Sequence, residues 1–123
     1  MASFKRFEDI EAWKRACRLV VDIYRLTNQP ELQRDWGLRD QIRRSAISIS
    51  SNIAEGFERN SNAEFKRFLL IAKGSCGELR SQLYLLKALD MVSAENVATL
   101  INECIKISSM IQTLINHLKK SDN

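Results

Sequence analysis

Apolar residues recur at alternating steps of three and four along most of the chain, which is the spacing of one face of an α-helix. Short polar breaks separate four such segments, and the pattern predicts helices at about residues 7–26, 37–57, 62–89 and 94–119. The predicted inner stripe of the first helix consists of Ile10, Trp13, Cys17, Val20 and Tyr24. The other three stripes are Leu38, Ile42, Ser45, Ala46, Ile49, Ile53 and Gly56; Phe65, Phe68, Leu69, Ala72, Cys76, Leu79, Leu83 and Leu86; and Val97, Ile101, Cys104, Ser108, Ile111, Ile115 and Leu118.

The breaks carry recognisable helix start signals. Pro30 is suited to open a short helical turn, because its missing N–H would have no partner there. Ser61 and Glu64 form a capping-box pattern, and Ser93 is the predicted N-cap of the last helix. Four amphipathic helices with short connections predict an all-α fold, a single domain over residues 1–123 arranged as an antiparallel up-down-up-down four-helix bundle.

Composition narrows the class of protein. A chain of 123 residues with four glycines and one proline suits one compact helical domain that needs no disulfide or metal. The three cysteines are far apart in sequence and lie on apolar helical positions, which favours free thiols in a reducing cytoplasm. No apolar run is long enough for a membrane span, so we expect no membrane partner.

Two helices carry more apolar surface than one bundle needs. Glycine inside a helix costs about 1 kcal/mol relative to alanine, so Gly74 and Gly77 require a reason such as the close approach of another helix. The predicted self-association surface consists of Ile47, Ser50 and Ala54 on the second helix and Leu70, Gly74, Gly77, Ser81 and Tyr84 on the third. The alternative is that loops and helix ends of the same chain cover both faces.

Two basic groups could meet an anionic partner. Lys66, Lys73, Arg80 and Lys87 recur every seven residues, so they form a column of on the order of 30 Å along one flank of the third helix. Arg39, Arg43, Arg44 and Arg59 belong to the second helix and its end. The column could follow a phosphate backbone or simply keep a helix seam soluble, and the arginines could bind phosphate or pair with Asp35, Asp40, Glu55 and Glu58.

Residue types that would indicate catalysis are missing from the expected places. Phosphate-binding glycine loops, histidine pairs at metal spacing and paired inward acids do not occur, and no base neighbours the serines at residues 45–51. We therefore expect no catalytic residues, no metal site and no cofactor, and a protein that is not an enzyme.

Residues 38–56, from Leu38 to Gly56, are hard to interpret as a generic helix. Together with Phe7-Glu8-Asp9 through Trp13, and with Glu64-Phe65 through Gly74-Ser75 to Glu78-Leu79, they resemble the four-helix-bundle proteins encoded in intervening sequences of bacterial 23S ribosomal RNA genes. The resemblance covers most of the chain and is weakest in the last helix. One position departs from it, since Ser50 stands where the family usually has a helix-kinking proline.

The resemblance implies a ring-shaped homopentamer. It also implies similarity to the accessory protein of diversity-generating retroelements, a basic pentamer that binds nucleic acid and a reverse transcriptase. On this basis we expect a homo-oligomer that binds RNA or DNA without sequence preference through Arg39, Arg43, Arg44, Lys66, Lys73 and Arg80. The rival hypothesis is a protein-interaction scaffold with no nucleic-acid role.

Overall fold

A computed structural model describes residues 4–121, with side chains through residue 118, and this part of the chain is helical without strands. A 3-10 turn, Phe7–Asp9, precedes the first α-helix. The α-helices are α1 (Glu11–Thr27), α2 (Pro30–Arg34), α3 (Trp36–Glu58), α4 (Asn62–Ala88) and α5 (Ala94–Ser121). The first long helix therefore begins later than predicted, because Ile10 has an extended backbone that interrupts the helix.

The four long helices form the predicted antiparallel bundle. Around it they follow the order α1, α3, α4, α5, with α3 and α4 in the most extensive contact and α5 meeting α1 only loosely. The short helix α2 lies against α3 and carries proline at its start, as predicted. This order makes α1 and α4 diagonal neighbours, which decides which surface residues share a side of the molecule.

The core is built from the predicted stripes of three helices. The predicted apolar positions on α4 are all buried, and on α3 and α5 only Leu38 and Ser108 are half-buried. A single large apolar cluster joins the inner faces of the four long helices. The 3.6-residue period therefore places the large side chains of α3, α4 and α5 correctly.

The predicted stripe of α1 is only partly correct, because Ile10 is buried as predicted but the inner face of the helix is a different one. The buried apolar residues of α1 are Ala12, Ala16, Leu19, Ile23 and Leu26. Trp13, Cys17 and Val20 are only half-buried and Tyr24 is exposed. The helix is turned by about one residue relative to the prediction, so that Cys17 and Tyr24 lie at the seam with α3, beside Ser50 and Arg43.

Serine side chains cap the N-termini of α4 and α5. Ser61 Oγ accepts the Glu64 N–H at 3.3 Å, Ser93 Oγ accepts the Asn96 N–H at 3.2 Å, and both N-caps agree with prediction. The Glu64 carboxylate accepts hydrogen bonds from the Arg67 guanidinium at 3.0 and 3.1 Å and not from the Ser61 N–H, so only the serine half of the predicted capping box forms. After α3 the chain reverses at Asn60, whose φ of 56° is a conformation that asparagine tolerates well.

Small residues on both helices allow α3 and α4 to pack closely. A Cβ atom on Gly56 would lie 2.5 Å from the Phe68 Cβ atom, so only glycine fits at this crossing. Ser75 Oγ donates to Ser48 Oγ at 2.8 Å across the same seam. Helix α3 continues through Ser50 without a break, and none of the described helices is long and apolar enough to cross a membrane.

Candidate nucleic-acid and self-association surfaces

The basic column of α4 lies beside α5. Lys73 Nζ donates to Gln112 Oε1 of α5 at 2.6 Å, which fixes the side of α4 on which the column runs. Lys73 and Arg80 border a cleft of about 250 Å³ between the two helices, and Ile105 and Ser108 form its opposite wall. Lys66, Arg80 and Lys87 have no hydrogen bond or ion pair with any residue in 4–118. Three of the four column cations are thus available to a ligand.

Two buried thiols lie at the bottom of this cleft. Burial raises the pKa of Cys76 to about 12, with a further contribution from Cys104. Burial also raises the pKa of Cys104 to about 12, against the opposing effect of the Arg80 cation. Thiols with such pKa values are almost fully protonated near neutral pH, so they act as apolar lining and not as nucleophiles.

The arginines of α3 are used mainly within the chain. Arg39 contacts Asp40 Oδ1 at 3.1 Å and Gln33 Oε1 at 2.7 Å. Arg43 donates to Thr27 Oγ1 at 2.8 Å and to Asn28 Oδ1 at 3.2 Å, and its guanidinium lies 4.2 Å from the centre of the Tyr24 ring. Arg59, just past the helix, pairs with Glu55 at 3.0 Å.

Arg44 differs from its neighbours. Its side chain is exposed and contacts no acid or hydrogen-bond acceptor within the described residues. The six cations predicted to bind nucleic acid therefore lie in different places and do not form one continuous site. Arg39 and Arg43 tie α3 to other elements beside α1 and α2, Arg44 is open on α3, and Lys66, Lys73 and Arg80 lie along the flank beside α5.

The predicted contact surface of α4 is open in the single chain. Leu70 and Tyr84 are each 51% exposed, and Gly74, Gly77 and Ser81 are also exposed. A Cβ atom added to Gly74 or Gly77 would meet nothing within 4 Å. No close packing inside the subunit therefore explains these two glycines.

The predicted contact surface of α3 borders α1. Ile47 is 39% exposed, while Ser50 and Ala54 are half-buried. Burial raises the pKa of Cys17 on α1, and a hydrogen bond with Ser50 opposes that rise, which places Ser50 at the α1–α3 seam. Because helices follow the order α1, α3, α4, α5, this surface and the α4 surface beside α5 lie on opposite sides of the bundle.

Sequence reasoning missed part of both surfaces. Tyr24 of α1 extends the α3 side, where its ring lies beneath Arg43, and Ile105 of α5 extends the α4 side, where it lines the cleft. The available signal for Ile105 was its position next to the buried stripe of α5, one residue after Cys104. For Tyr24 the signal was the 3–4 spacing of Ala12, Ala16, Leu19 and Ile23, which leaves Tyr24 off the inner stripe.

Residues that could form a metal centre do not come together. Within the described residues no group of three or more histidine, cysteine, aspartate or glutamate side chains has the geometry to hold a metal ion. All three cysteines are free thiols.

Comparison with known proteins places this arrangement in a family. The model of the 23S rRNA-intervening sequence protein family matches residues 8–113, which include α1 to α4, most of α5 and both candidate surfaces. The chain belongs to this family. No curated protein matches the chain at a significant level.

A solved structure has the same fold. It is a protein of unknown function from the S23 ribosomal protein family of Bacteroides thetaiotaomicron, with 26% sequence identity and a TM-score of 0.77. The alignment covers 85% of this chain and 97% of the other. A link to diversity-generating retroelements or a reverse transcriptase stays a prediction.

Proposed function

We propose that this member of the 23S rRNA-intervening sequence protein family is a non-catalytic homo-oligomer that binds RNA without sequence preference. The observation that carries the proposal is the solvent side of α4, where unpaired cations run beside an apolar surface containing two glycines with open space above them. Its free thiols suit the cytoplasm.

RNA binding is supported by the position of the charges. A seven-residue repeat keeps the column on one flank over a length of on the order of 30 Å, which suits a flexible polyanion. Lysine and arginine on a helix flank meet phosphates and not base edges, so sequence preference should be small.

Self-association is supported by the placement of the two contact surfaces. If each surface paired with the same surface of a second subunit, the result would be an isologous dimer. If the α3 surface of one subunit contacts the α4 surface of the next, the interface is heterologous, and it closes into a ring when the rotation between subunits allows closure. A pentamer is the ring size that the family resemblance implies. In such a ring the α3 side of one subunit would meet the α4 side of the next.

The first test measures molar mass and RNA binding together. Light scattering at micromolar concentration should give a mass of several subunits, and a short RNA should add to it at low salt. The double variant Lys73→Gln/Arg80→Gln should bind more weakly, with a salt slope smaller by about 0.7 to 0.9 for each phosphate that the protein no longer neutralises. The charge-matched control is Lys14→Gln/Arg18→Gln on α1, which should bind like the original protein.

The second test asks whether the interface is heterologous. Ile47→Asp should disable the α3 surface and Leu70→Asp the α4 surface, and both positions are exposed enough for the subunit to fold. Each variant alone should be monomeric, while an equimolar mixture should form a complex of two copies through the one remaining pair of working surfaces. Dimers of either variant alone would contradict this arrangement.

A protein-interaction scaffold is the second candidate, because exposed apolar residues continue along α4 to Leu85 and Leu89. Its distinguishing result is a multimeric protein that gives no mobility shift with RNA at low salt. That result would remove the nucleic-acid part of the proposal.

A further inference from the structure

We infer that the α4–α5 flank takes single-stranded nucleic acid, with the Tyr84 ring as a stacking surface for a base. This inference rests on the proposed RNA binding and names the class of nucleic acid that the flank would select. It moves Tyr84 from the predicted subunit contact to the ligand side of α4.

Tyr84 shares its flank with the basic column. It follows Arg80 by four residues and precedes Lys87 by three, and residues at these spacings are neighbours on a helix surface. Its side chain is half exposed, and no aromatic ring or cation among residues 4–118 packs on it. The other tyrosine, Tyr24, has its ring covered by Arg43. Tyr84 is therefore an open ring between two cations that themselves lack partners.

The cleft next to Tyr84 adds apolar surface at the same place. It lies between Lys73 and Arg80, and Ile105, which is 45% exposed, forms part of its wall. The flank therefore offers cations that can contact phosphates, and an aromatic ring and an aliphatic side chain that can contact the faces of bases. Proteins that bind single strands with little sequence preference use this combination.

A duplex could contact the cations of this flank but not the Tyr84 ring. Its phosphates can reach the column, but its bases are stacked on one another and cannot reach the Tyr84 ring without unpairing. We therefore expect the flank to prefer a single strand over a duplex of the same length and charge.

The test uses fluorescence anisotropy with a labelled pyrimidine RNA of about 12 nucleotides and a duplex of the same length, at low salt. The original protein should bind the single strand more tightly. Tyr84→Leu should weaken single-strand binding roughly tenfold or more, as expected for the loss of one stacked base, and should leave duplex binding unchanged. Tyr84→Phe should behave like the original protein.

The salt dependence separates stacking from charge. Tyr84→Leu removes no cation, so its salt slope should equal that of the original protein, whereas Lys73→Gln/Arg80→Gln should lower the slope. Trp36→Leu is the matched control, because Trp36 is 66% exposed but belongs to α3, which is diagonal to α5. It should leave binding unchanged.

Four results would overturn the inference. These are equal binding of single strand and duplex by the original protein, single-strand affinity that is unchanged in Tyr84→Leu, an equal loss in Trp36→Leu, or a lower molar mass of Tyr84→Leu without RNA. The last would return Tyr84 to the subunit contact. A protein that binds no RNA in any form would instead remove the proposed function itself, so the two failures can be told apart.

Discussion

Three glycines inside helices give the sharpest test of which surfaces the subunit uses internally and which it leaves for a neighbour. The perturbation is the same at each position, a single methyl group from Gly→Ala. Gly56 lies in α3 at the crossing with α4, and Gly74 and Gly77 lie on the outer side of α4.

The methyl group should change the free energy of unfolding in opposite directions at Gly56 and at Gly74 and Gly77, because only Gly56 is packed against another helix. At Gly56 the new Cβ atom would lie 2.5 Å from Phe68 Cβ and 3.3 Å from Phe65 Cδ1, and the first of these is not the end of a flexible side chain. Overpacking of this kind costs about 1–3 kcal/mol, which equals or exceeds the gain of about 1 kcal/mol from replacing a helical glycine. Gly56→Ala should therefore lower the free energy of unfolding by up to about 2 kcal/mol.

At Gly74 and Gly77 the same methyl group meets open space. The helix-propensity gain then remains unopposed, so Gly74→Ala/Gly77→Ala should raise the free energy of unfolding of the separated subunit by about 2 kcal/mol. If the proposed contact uses these positions, the added methyl groups hold the neighbouring helix away. The double variant should then be more stable as a monomer and less associated.

The assay measures the two effects separately. Urea unfolding followed by circular dichroism at a protein concentration where subunits are apart reports the stability of the single chain. Light scattering at micromolar concentration reports association. A double variant that keeps the original molar mass would show that Gly74 and Gly77 are outside the interface, and one that is less stable when dissociated would show that the subunit itself needs them.

Three further predictions concern the subunit. Ser61→Ala should lower the free energy of unfolding by about 1 kcal/mol in urea titrations, because the N-cap acceptor of α4 is removed; an unchanged midpoint would contradict this role. The hydrogen bonds from Arg67 lower the pKa of Glu64. The ionised Glu64 carboxylate therefore stabilises the fold fully above the ordinary glutamate pKa, and this contribution is lost as the pH falls through the lowered value. In urea titrations at several pH values, Glu64→Gln should make the loss of stability on the acid side less steep, and an unaltered curve would argue against this role. Burial raises the pKa of Cys76 and of Cys104 to about 12, so iodoacetamide at pH 8 should modify them only as fast as the protein opens, which mass spectrometry can follow; rapid labelling of the native protein would be the opposing result.

Local pattern was sufficient for the elements and for most of the core. The inner residues of α4, such as Leu69, Leu79 and Leu83, are large and recur at helical spacing, so burial on one face follows from the pattern. The N-caps at Ser61 and Ser93 could also be predicted from the sequence, because an N-cap side chain accepts a hydrogen bond from a backbone N–H only two or three residues away.

The error on α1 shows where pattern fails. Trp13 and Tyr24 are more apolar in area than Ala12 and Ala16, yet the alanines are buried. Burial of a small side chain contributes little free energy, so an alanine at an inner position does not mark that face in the sequence. Which face of α1 is turned inward depends on its packing against the other helices.

What the amino-acid sequence by itself determined is therefore what depends on neighbours within a turn or two: four long amphipathic helices, the N-caps at Ser61 and Ser93, and the outer apolar positions on α3 and α4. The tertiary structure alone decided which charges are free. Arg43 is engaged by Thr27 and Asn28 of the preceding segment, and Lys73 by Gln112, 39 residues further along the chain. The physical reason is that these contacts depend on the order of helices around the bundle, which side-chain periodicity does not encode.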